Sequence, residues 1–552
     1  MIASEPLCHF VDDYLSYLHE TWPTHATADG IHQHDDLLED FSRAAIDSQV
    51  QHLSAFARRL ASMNNDSLTR VERIERPWVS ATIRGRLHEL EHVRTWERNP
   101  QLYSETLAAS LATQTLFAHA PADERARRVL SKLRQTPRLM QAARDNIKEP
   151  PGIFIKNSLD SLRGARRFVE NDLPLAFMDI DDLGLLGDLA DAQTEAVNAL
   201  ASYIAYLETD LAPRARASFR LGPDKLAAKL KLEDGIDIPV EKLLDIGLRE
   251  LTRTQDEFRR VAGKLEPGNP IDVWRRTKDQ HVAADGIVAT VRGQLDELVG
   301  FIRRRDLVSM PPNEGVVVAP TPDFCRWTFA SMWTPGPFET RPSRACYYVT
   351  DVDPSWTPEQ RHDHLRDVNK PMLWSISMHE AYPGHFLHFQ HLRQVESKAR
   401  RSLMMASVAM VEGWAHYGEH MMVEAGFGKN DPTIRLAQLA NSLTRLARLV
   451  VSIRLHADEL SVEQCVRFFR DEAYLEENSA RREAERGTFD AGYGSYAAGK
   501  LMLLKLREDY KAEAGATFSL KTFHDTLLGN GVATVPVHRQ LMLTETRGAA
   551  LE

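Results

Sequence analysis

The sequence predicts a mainly α protein, a large multi-helix array with a deep central cleft and one small β-sheet. Three observations carry this. Apolar residues recur at helical spacing through most of residues 1–309. Pro, Gly and β-forming residues concentrate between Met310 and Pro371. Helical periodicity then resumes at Asn369 and continues to the C-terminus. No repeat with a period of about 20–50 residues is visible, which argues against a solenoid.

Taken in order, a first helix opens near Ser4 and Pro6, where Phe10, Val11, Tyr14, Leu15 and Leu18 form one stripe. Further helices are expected over residues 41–64, 68–96, 105–117, 123–147, 155–171 and 180–209, separated by Pro or Asn-Asp punctuation. The stretch LEDGIDIP (232–239) reads as a turn before a long helix at 240–265. From Met310 the runs MPPNEGVVVAPTP, WTPGPFE and ACYYVTDV replace the helix formers, and residues 346–352 read as a strand. Two readings of that strand stay open: an edge strand beside the next helix, on which an extended chain could pair, or an ordinary strand of a small sheet. Downstream, residues 434–456 are expected to form a long amphipathic helix bearing Arg435, Arg445, Arg448 and Arg454. The chain thus divides into a helical region 1–309, a β-containing segment 310–370 and a helical region 371–552, read as one integrated domain.

Composition narrows the partners. A 552-residue chain with 43% hydrophobic and 26% charged residues has an ordinary globular balance. Near the histidine-rich centre the longest apolar run, LMMASVAMV (403–411), is far short of the ~20 residues that cross a bilayer, so no membrane span is expected. The N-terminal residues show neither a basic n-region nor a long apolar h-region, which predicts a cytoplasmic protein. A formal net charge of −10 argues against nucleic acid as the main partner, since phosphate binding needs a concentrated positive surface. Cys8, Cys325, Cys346 and Cys465 are dispersed without a C-x-x-C pair, so neither a disulfide framework nor a thiolate metal site is encoded.

Chemistry concentrates in SMHEAYPGHFLHFQH (377–391), where His379, His385, His388 and His391 crowd with Glu380. A helical His-Glu pair that binds metal usually continues as His-Glu-x-x-His, because an i, i+4 spacing puts both imidazoles on one face. Here the next histidine, His385, follows His379 by six residues, about 240° further round a regular helix. Pro383 and Gly384 between them supply a break that can return His385 to the side of His379. The plain alternative is a polar helix face of histidines at i, i+3, i+6. A second segment, VEGWAHYGEH (411–420), weighs against it: Glu412 stands 27 residues after His385, and Glu419 two turns further along the same expected helix. A carboxylate from a following helix can complete a zinc site of two histidines, with a second acid orienting a ligand. Further on, DAGYGSYAAGK (490–500) places Tyr493 and Tyr496 on a Gly-rich turn, where a hydroxyl could stabilise an oxyanion. The alternative for both is packing.

The motifs HEAYPGH and EGWAHYGE resemble those of the domain-of-unknown-function 885 family, mostly helical proteins similar to zinc-dependent peptidases. The likeness extends to WPTHATADG (22–30), GPFE (336–339), YYVT (347–350), EAER (483–486) and SYAAGK (495–500). Two positions depart from the family pattern: Phe386 stands where a second histidine is frequent, and Ser452 where an Asp is. The resemblance implies a zinc-peptidase-like fold and one zinc ion, other divalent transition metals being possible, held by His379, His385 and Glu412. Glu380 would be the general base, Tyr496 or Tyr493 the oxyanion donor, and Glu419 with His416 the support behind the ligands. Tyr347, Tyr348, Arg486 and His456 are the candidate substrate-binding residues. The expected activity is hydrolysis of short peptides, carboxypeptidase-like or dipeptidase-like. Hydrolysis or lysis of a non-peptide amide or ester, and a silent binding protein with a vestigial site, stay open beside it. The expected partner is a short peptide or small amide, and the oligomeric state is open, a homodimer included.

Overall fold

The computed structural model describes residues 6–551 apart from 313, 314, 323–325, 327, 342, 343, 459 and 546–548. It is mainly helical with one three-stranded sheet. Ser4 and Cys325 lie outside the described residues. Among the described residues no helix is long and apolar enough to cross a membrane, and Cys8, Cys346 and Cys465 are in no disulfide.

Two compact units emerge. One comprises Met1–Leu221 with Pro335–Arg344 and Ser397–Met405; the other comprises Gly222–Thr334, Ala345–Glu396 and Ala406–Glu552. Short non-local insertions complete the first unit, and nothing in local periodicity announces such an exchange.

In the first unit, Pro23 at the first position of the Pro23–Asp29 helix and Gly30 at its left-handed end (φ +88°) set a short helix. The Asp29 carbonyl accepts from Phe338 N (2.9 Å), and a Cβ on Gly30 would lie 2.8 Å from Glu339 Cα. The WPTHATADG and GPFE stretches are therefore one packed junction. The Asp29 carboxylate accepts from Leu403 N (2.7 Å) and Ser402 Oγ, pinning the third piece of this unit.

The second unit is built round the Pro432–Ala457 helix, which is buried on nearly every face. It is thus a core helix rather than the expected amphipathic one, because neighbours cover the side that its arginines were expected to keep in water. Three of those four arginines are ion-paired, Arg435 with Glu257, Arg445 with Glu419 and Arg448 with Glu483, and Arg454 lies over the Phe468 ring. The Val240–Leu265 helix, found at its expected bounds, packs Leu243, Ile246, Leu251 and Phe258 inward, and the Pro432–Ala457 helix comes within 3.3 Å of where a Cβ on Gly247 would stand. The Val408–Glu424 and Ser495–Ala514 helices approach even more closely. A Cβ on Gly413 would lie 2.7 Å from Gly499 Cα, so both positions admit only glycine.

The sheet has the order β1 (Val316–Pro320), β3 (Ala345–Val349), β2 (Ala330–Trp333), with β3 parallel to β1 and antiparallel to β2. The strand expected at 346–352 is therefore central, not an edge, and both of its backbone sides are already paired. Within the segment expected to be β-rich, Thr357 and Gln360 form a capping box and start the Pro358–Asp367 helix.

Candidate metal centre

The Lys370–Glu380 helix begins at an Asn369 cap, whose side chain accepts from Met372 N, and stops at Glu380. What stops it is the turn Ala381–Gly384, which includes a cis Tyr382-Pro383 bond. Gly384 N donates to the Met378 carbonyl (3.0 Å), and the His385–Leu392 helix departs from there. Trp414 Nε1 donates to the Pro383 carbonyl (2.8 Å), fastening the turn to the Val408–Glu424 helix. A Cβ on Gly418 would lie 3.0 Å from Pro383 Cγ. The Pro-Gly break thereby does geometrically what its position suggested: the rings of His379 and His385 meet edge to face with centroids 4.8 Å apart.

Glu412 arrives from the neighbouring helix. Its Oε2 lies 3.3 Å from His379 Nε2 and 3.4 Å from His385 Nε2. Three ligand atoms around a tetrahedral zinc with bonds of ~2.0–2.1 Å stand ~3.3–3.4 Å apart. Both histidines are buried, and Glu412 Oε2 makes no conventional hydrogen bond. Burial would push Glu412 up, but His385 and His379 hold its carboxyl well below the ordinary range. The donor set, its spacing and its unsatisfied oxygen fit one divalent transition ion.

Behind His379 sits Glu419, fully buried. Its Oε1 is 2.9 Å from His379 Nδ1 and 3.0 Å from an Arg445 guanidinium nitrogen, and its Oε2 accepts from Ser375 Oγ (2.8 Å), which in turn accepts from Asn441 Nδ2 (3.0 Å). Burial opposes the charge on Glu419, yet Arg445 and His379 hold its carboxyl well below the usual range. With Nδ1–H donating to Glu419, the His379 Nε2 lone pair faces Glu412 and His385. Without an ion, burial and Arg445 disfavour a proton on His379, but Glu412 and Glu419 outweigh them and raise it to about 9, so a metal binding at Nε2 would have to displace that proton. His416 is buried with Nδ1 3.7 Å from Glu419 Oε1; burial and Lys500 keep it neutral.

Of the two tyrosines, Tyr496 is the one at the site. Its ring lies nearly parallel to His379, centroids 6.4 Å apart, with the Arg448 and Arg486 guanidiniums 5.3 and 5.8 Å from its centroid. Burial and Glu412 raise its hydroxyl to about 12, so it stays a donor. Tyr493 is buried with its hydroxyl against Gly487. Glu380 is half-buried at the end of the His379 helix. His388 is fully buried against Phe389 and Trp414 and is not one of the three donors; burial, with His385 nearby, lowers it to about 3.

The expected substrate contacts fare differently. Tyr347 is 0% exposed, its hydroxyl 3.3 Å from Ser377 Oγ, and Tyr348 is buried beside it on β3; both pack the sheet rather than offer a surface. His456 is 2% exposed, with Nε2 2.8 Å from the Gly487 carbonyl oxygen. Arg486 donates twice to Asp490 Oδ2 (3.0 and 2.9 Å) and lies over Tyr496. Sequence reasoning missed Arg445 as a partner of Glu419, together with Ser375 and Asn441. The available signal was an arginine within the apolar run of the 434–456 helix.

A model of the family described as "Bacterial protein of unknown function (DUF885)" matches residues 23–542. The chain belongs to the DUF885 family. No curated protein matches it. Among solved structures, this DUF885 chain is similar to "a putative lipoprotein of unknown function from Shewanella oneidensis" at 26% identity and TM-score 0.80, over 98% of this chain and 100% of that one. It also shares its fold with "the putative lipoprotein from Colwellia psychrerythraea", at 18% identity, TM-score 0.80, and 96% and 97% coverage.

A second donor group in this DUF885 chain, absent from the sequence reading, lies in the first unit: His32, Asp35 and His119. It fits a metal poorly. Asp35 Oδ2 already accepts from Arg128 (2.7 Å) and lies 2.9 Å from His32 Nδ1 and 3.2 Å from His119 Nε2, while His32 Nε2 reaches Glu339 Oε2 (2.7 Å). The His32 and His119 rings stack 4.2 Å apart. Burial works against a charged His32, but Asp35 and Glu339 raise it to about 9, which makes the group a charge-balanced clamp.

Proposed function

We propose that this DUF885 protein is a zinc-dependent hydrolase that cleaves short peptides, carboxypeptidase-like or dipeptidase-like in its preference for chain ends. The observation that supports this is the three-donor group itself: His379 Nε2 and His385 Nε2 stand 3.3 and 3.4 Å from Glu412 Oε2, at zinc-ligand spacing. When bound there, zinc supplies Lewis acidity toward a carbonyl and toward water.

The remaining work falls to side chains of the chain. Glu380, adjacent to His379 at the helix end, takes a proton from the water that attacks the peptide carbonyl. A C–O bond forms, the C–N bond breaks, and the same proton passes from Glu380 to the leaving nitrogen. Tyr496, kept protonated by burial and Glu412, donates to the oxygen on which negative charge develops. Glu419 and Arg445 fix the tautomer and orientation of His379. On this reading a narrow cleft reaches the two buried histidines and excludes folded proteins.

The test pairs metal analysis of protein purified without chelator with mass spectrometry of a peptide mixture. That mixture contains free and C-terminally amidated peptides and one folded protein. The expected result is about one zinc per chain, as a single three-donor site requires, and trimming of free peptides near one end. Protein that stays metal-free and cannot be loaded would overturn the reading; indifference to amidation would remove its carboxypeptidase-like form.

A further inference from the structure

Asp234 ends the Pro223–Asp234 helix, inside the stretch whose sequence announces only a turn, and is 3% exposed. Its carboxylate is shared between the starts of two other helices. Oδ1 accepts from Ser407 Oγ (2.8 Å) and Ala409 N (2.8 Å) at the start of Val408–Glu424, and Oδ2 accepts from Ser495 Oγ (2.5 Å) at the start of Ser495–Ala514. A buried negative charge here lies at the positive ends of two helix dipoles. Glu412 follows Ser407 by five residues, and Tyr496 is the neighbour of Ser495.

We propose that Asp234 is a positioning residue that sets Glu412 and Tyr496 relative to one another by tethering the first turns of both their helices to one carboxylate. This rests on the metallohydrolase reading for its consequence, though not for its geometry. Backbone contact at Gly413 and Gly499 fixes how close the two helices lie. Glycine against glycine leaves no side chain to interlock, so it does not fix how far one helix slides or turns against the other. Arg507, bonded to Glu424 and Tyr417, supplies such a constraint further along the pair, and the three bonds to Asp234 supply it at the end nearest the site. An error in sliding would displace Glu412 Oε2 from the two imidazoles and Tyr496 from the His379 ring face.

The experiment uses full-length Asp234→Ala, Asp234→Asn, Ser407→Ala and Ser495→Ala variants with three readouts. These are zinc affinity by competition with a chromophoric chelator, the visible d–d spectrum of the cobalt-loaded protein, and hydrogen–deuterium exchange of the metal-free protein at the two first turns. Asp234→Ala should speed exchange at both starts, alter the cobalt spectrum and weaken zinc about 10-fold or more, the range seen when groups supporting metal ligands are lost. Asn keeps one acceptor oxygen for Ser407 and Ala409 and an amide that can donate to Ser495, so Asp234→Asn should restore most of each signal. Ser407→Ala should disturb the Glu412 helix, the cobalt spectrum and zinc affinity. Ser495→Ala should disturb exchange only at the Tyr496 helix.

Faster exchange at just one start in Asp234→Ala, or an unchanged cobalt spectrum with wild-type zinc affinity, would overturn the proposal. A role in folding alone lowers the melting temperature but leaves the spectrum of the loaded protein intact. If Asp234→Ala does not fold, the two serine variants decide, since equal effects of both on both helices contradict separate tethers. Wild-type protein that binds neither zinc nor cobalt would sink the metallohydrolase reading, while the exchange data would still test the tether.

Discussion

Replacing Gly384 by alanine should separate the two histidines without touching either. A Cβ at this position would fall on the His379 carbonyl oxygen and lie 2.7 Å from the Met378 carbonyl oxygen. Ordinary nonbonded contacts to carbon are ~3.5 Å, so the turn must open by about 1 Å or more. Metal and catalytic sites tolerate only about 0.5 Å of displacement, and His385 is the next residue after Gly384. The expected outcome is a loss of zinc affinity of at least about 100-fold, comparable to removing a ligand and roughly 2.7 kcal/mol. The assay is competition with a chromophoric chelator, alongside Gly263→Ala, whose Cβ would meet nothing within 4 Å. Gly263→Ala should bind zinc like wild type, and its helix should be unchanged or slightly more stable. Zinc bound equally tightly by Gly384→Ala and wild type would refute the argument that the close turn holds His385 against His379.

Three other outcomes are expected. Glu380→Gln should retain zinc and lose about 100-fold or more in turnover, as a missing general base does, while Glu412→Gln should weaken zinc retention; equal metal loss in both would reverse the assigned roles. His385→Ala should abolish zinc binding whereas His388→Ala should keep it at reduced thermal stability, and the opposite pattern in metal analysis would discard the three-donor group. The third concerns pH and the first unit. His32 is raised from 6.5 to about 9 in the folded chain, so its stabilisation is complete below about pH 6.5 and is lost as pH rises through 9. Solvent screening keeps the loss below the ~3 kcal/mol of the full shift, and the Glu339 share of it is read as the difference between urea titrations of wild type and Glu339→Gln across that interval; identical pH slopes would show that Glu339 contributes nothing to the clamp.

What the sequence disclosed about the site was residue chemistry at fixed spacing. His379, His385 and Glu412 were legible because few other roles explain imidazoles on either side of a Pro-Gly break, followed by an acid on the next helix. Glu419 was legible from its two-turn separation from Glu412. Ser375, Asn441 and Arg445 were not, because they converge on Glu419 from separate stretches of chain and each is commonplace where it stands. The choice between Tyr493 and Tyr496 turned on where the last long helix begins. Its start at Ser495 puts Tyr496 in the first turn facing His379 and leaves Tyr493 buried in the preceding turn. Helix positions were mostly readable from periodicity, and 240–265 was found at both expected ends. Strand order was not readable, since pairing with β1 and β2 is decided by partners up to 29 residues away along the chain. The TPEQ capping signal at 357–360 was present in the sequence but went unread among the prolines and β-formers around it.

The bare contact between Gly413 and Gly499 also bears on how the candidate site can move. No side-chain rotamer lies between the helices at these glycines, and with Asp234 tying both first turns and Arg507 joined to Glu424 and Tyr417 further along, Glu412 and Tyr496 ride on one couple. Separating them would strip contact from both helices along the line where they pack. Under the proposed hydrolase reading, Tyr496 would keep its place beside His379 while other residues around the site adjust to a substrate.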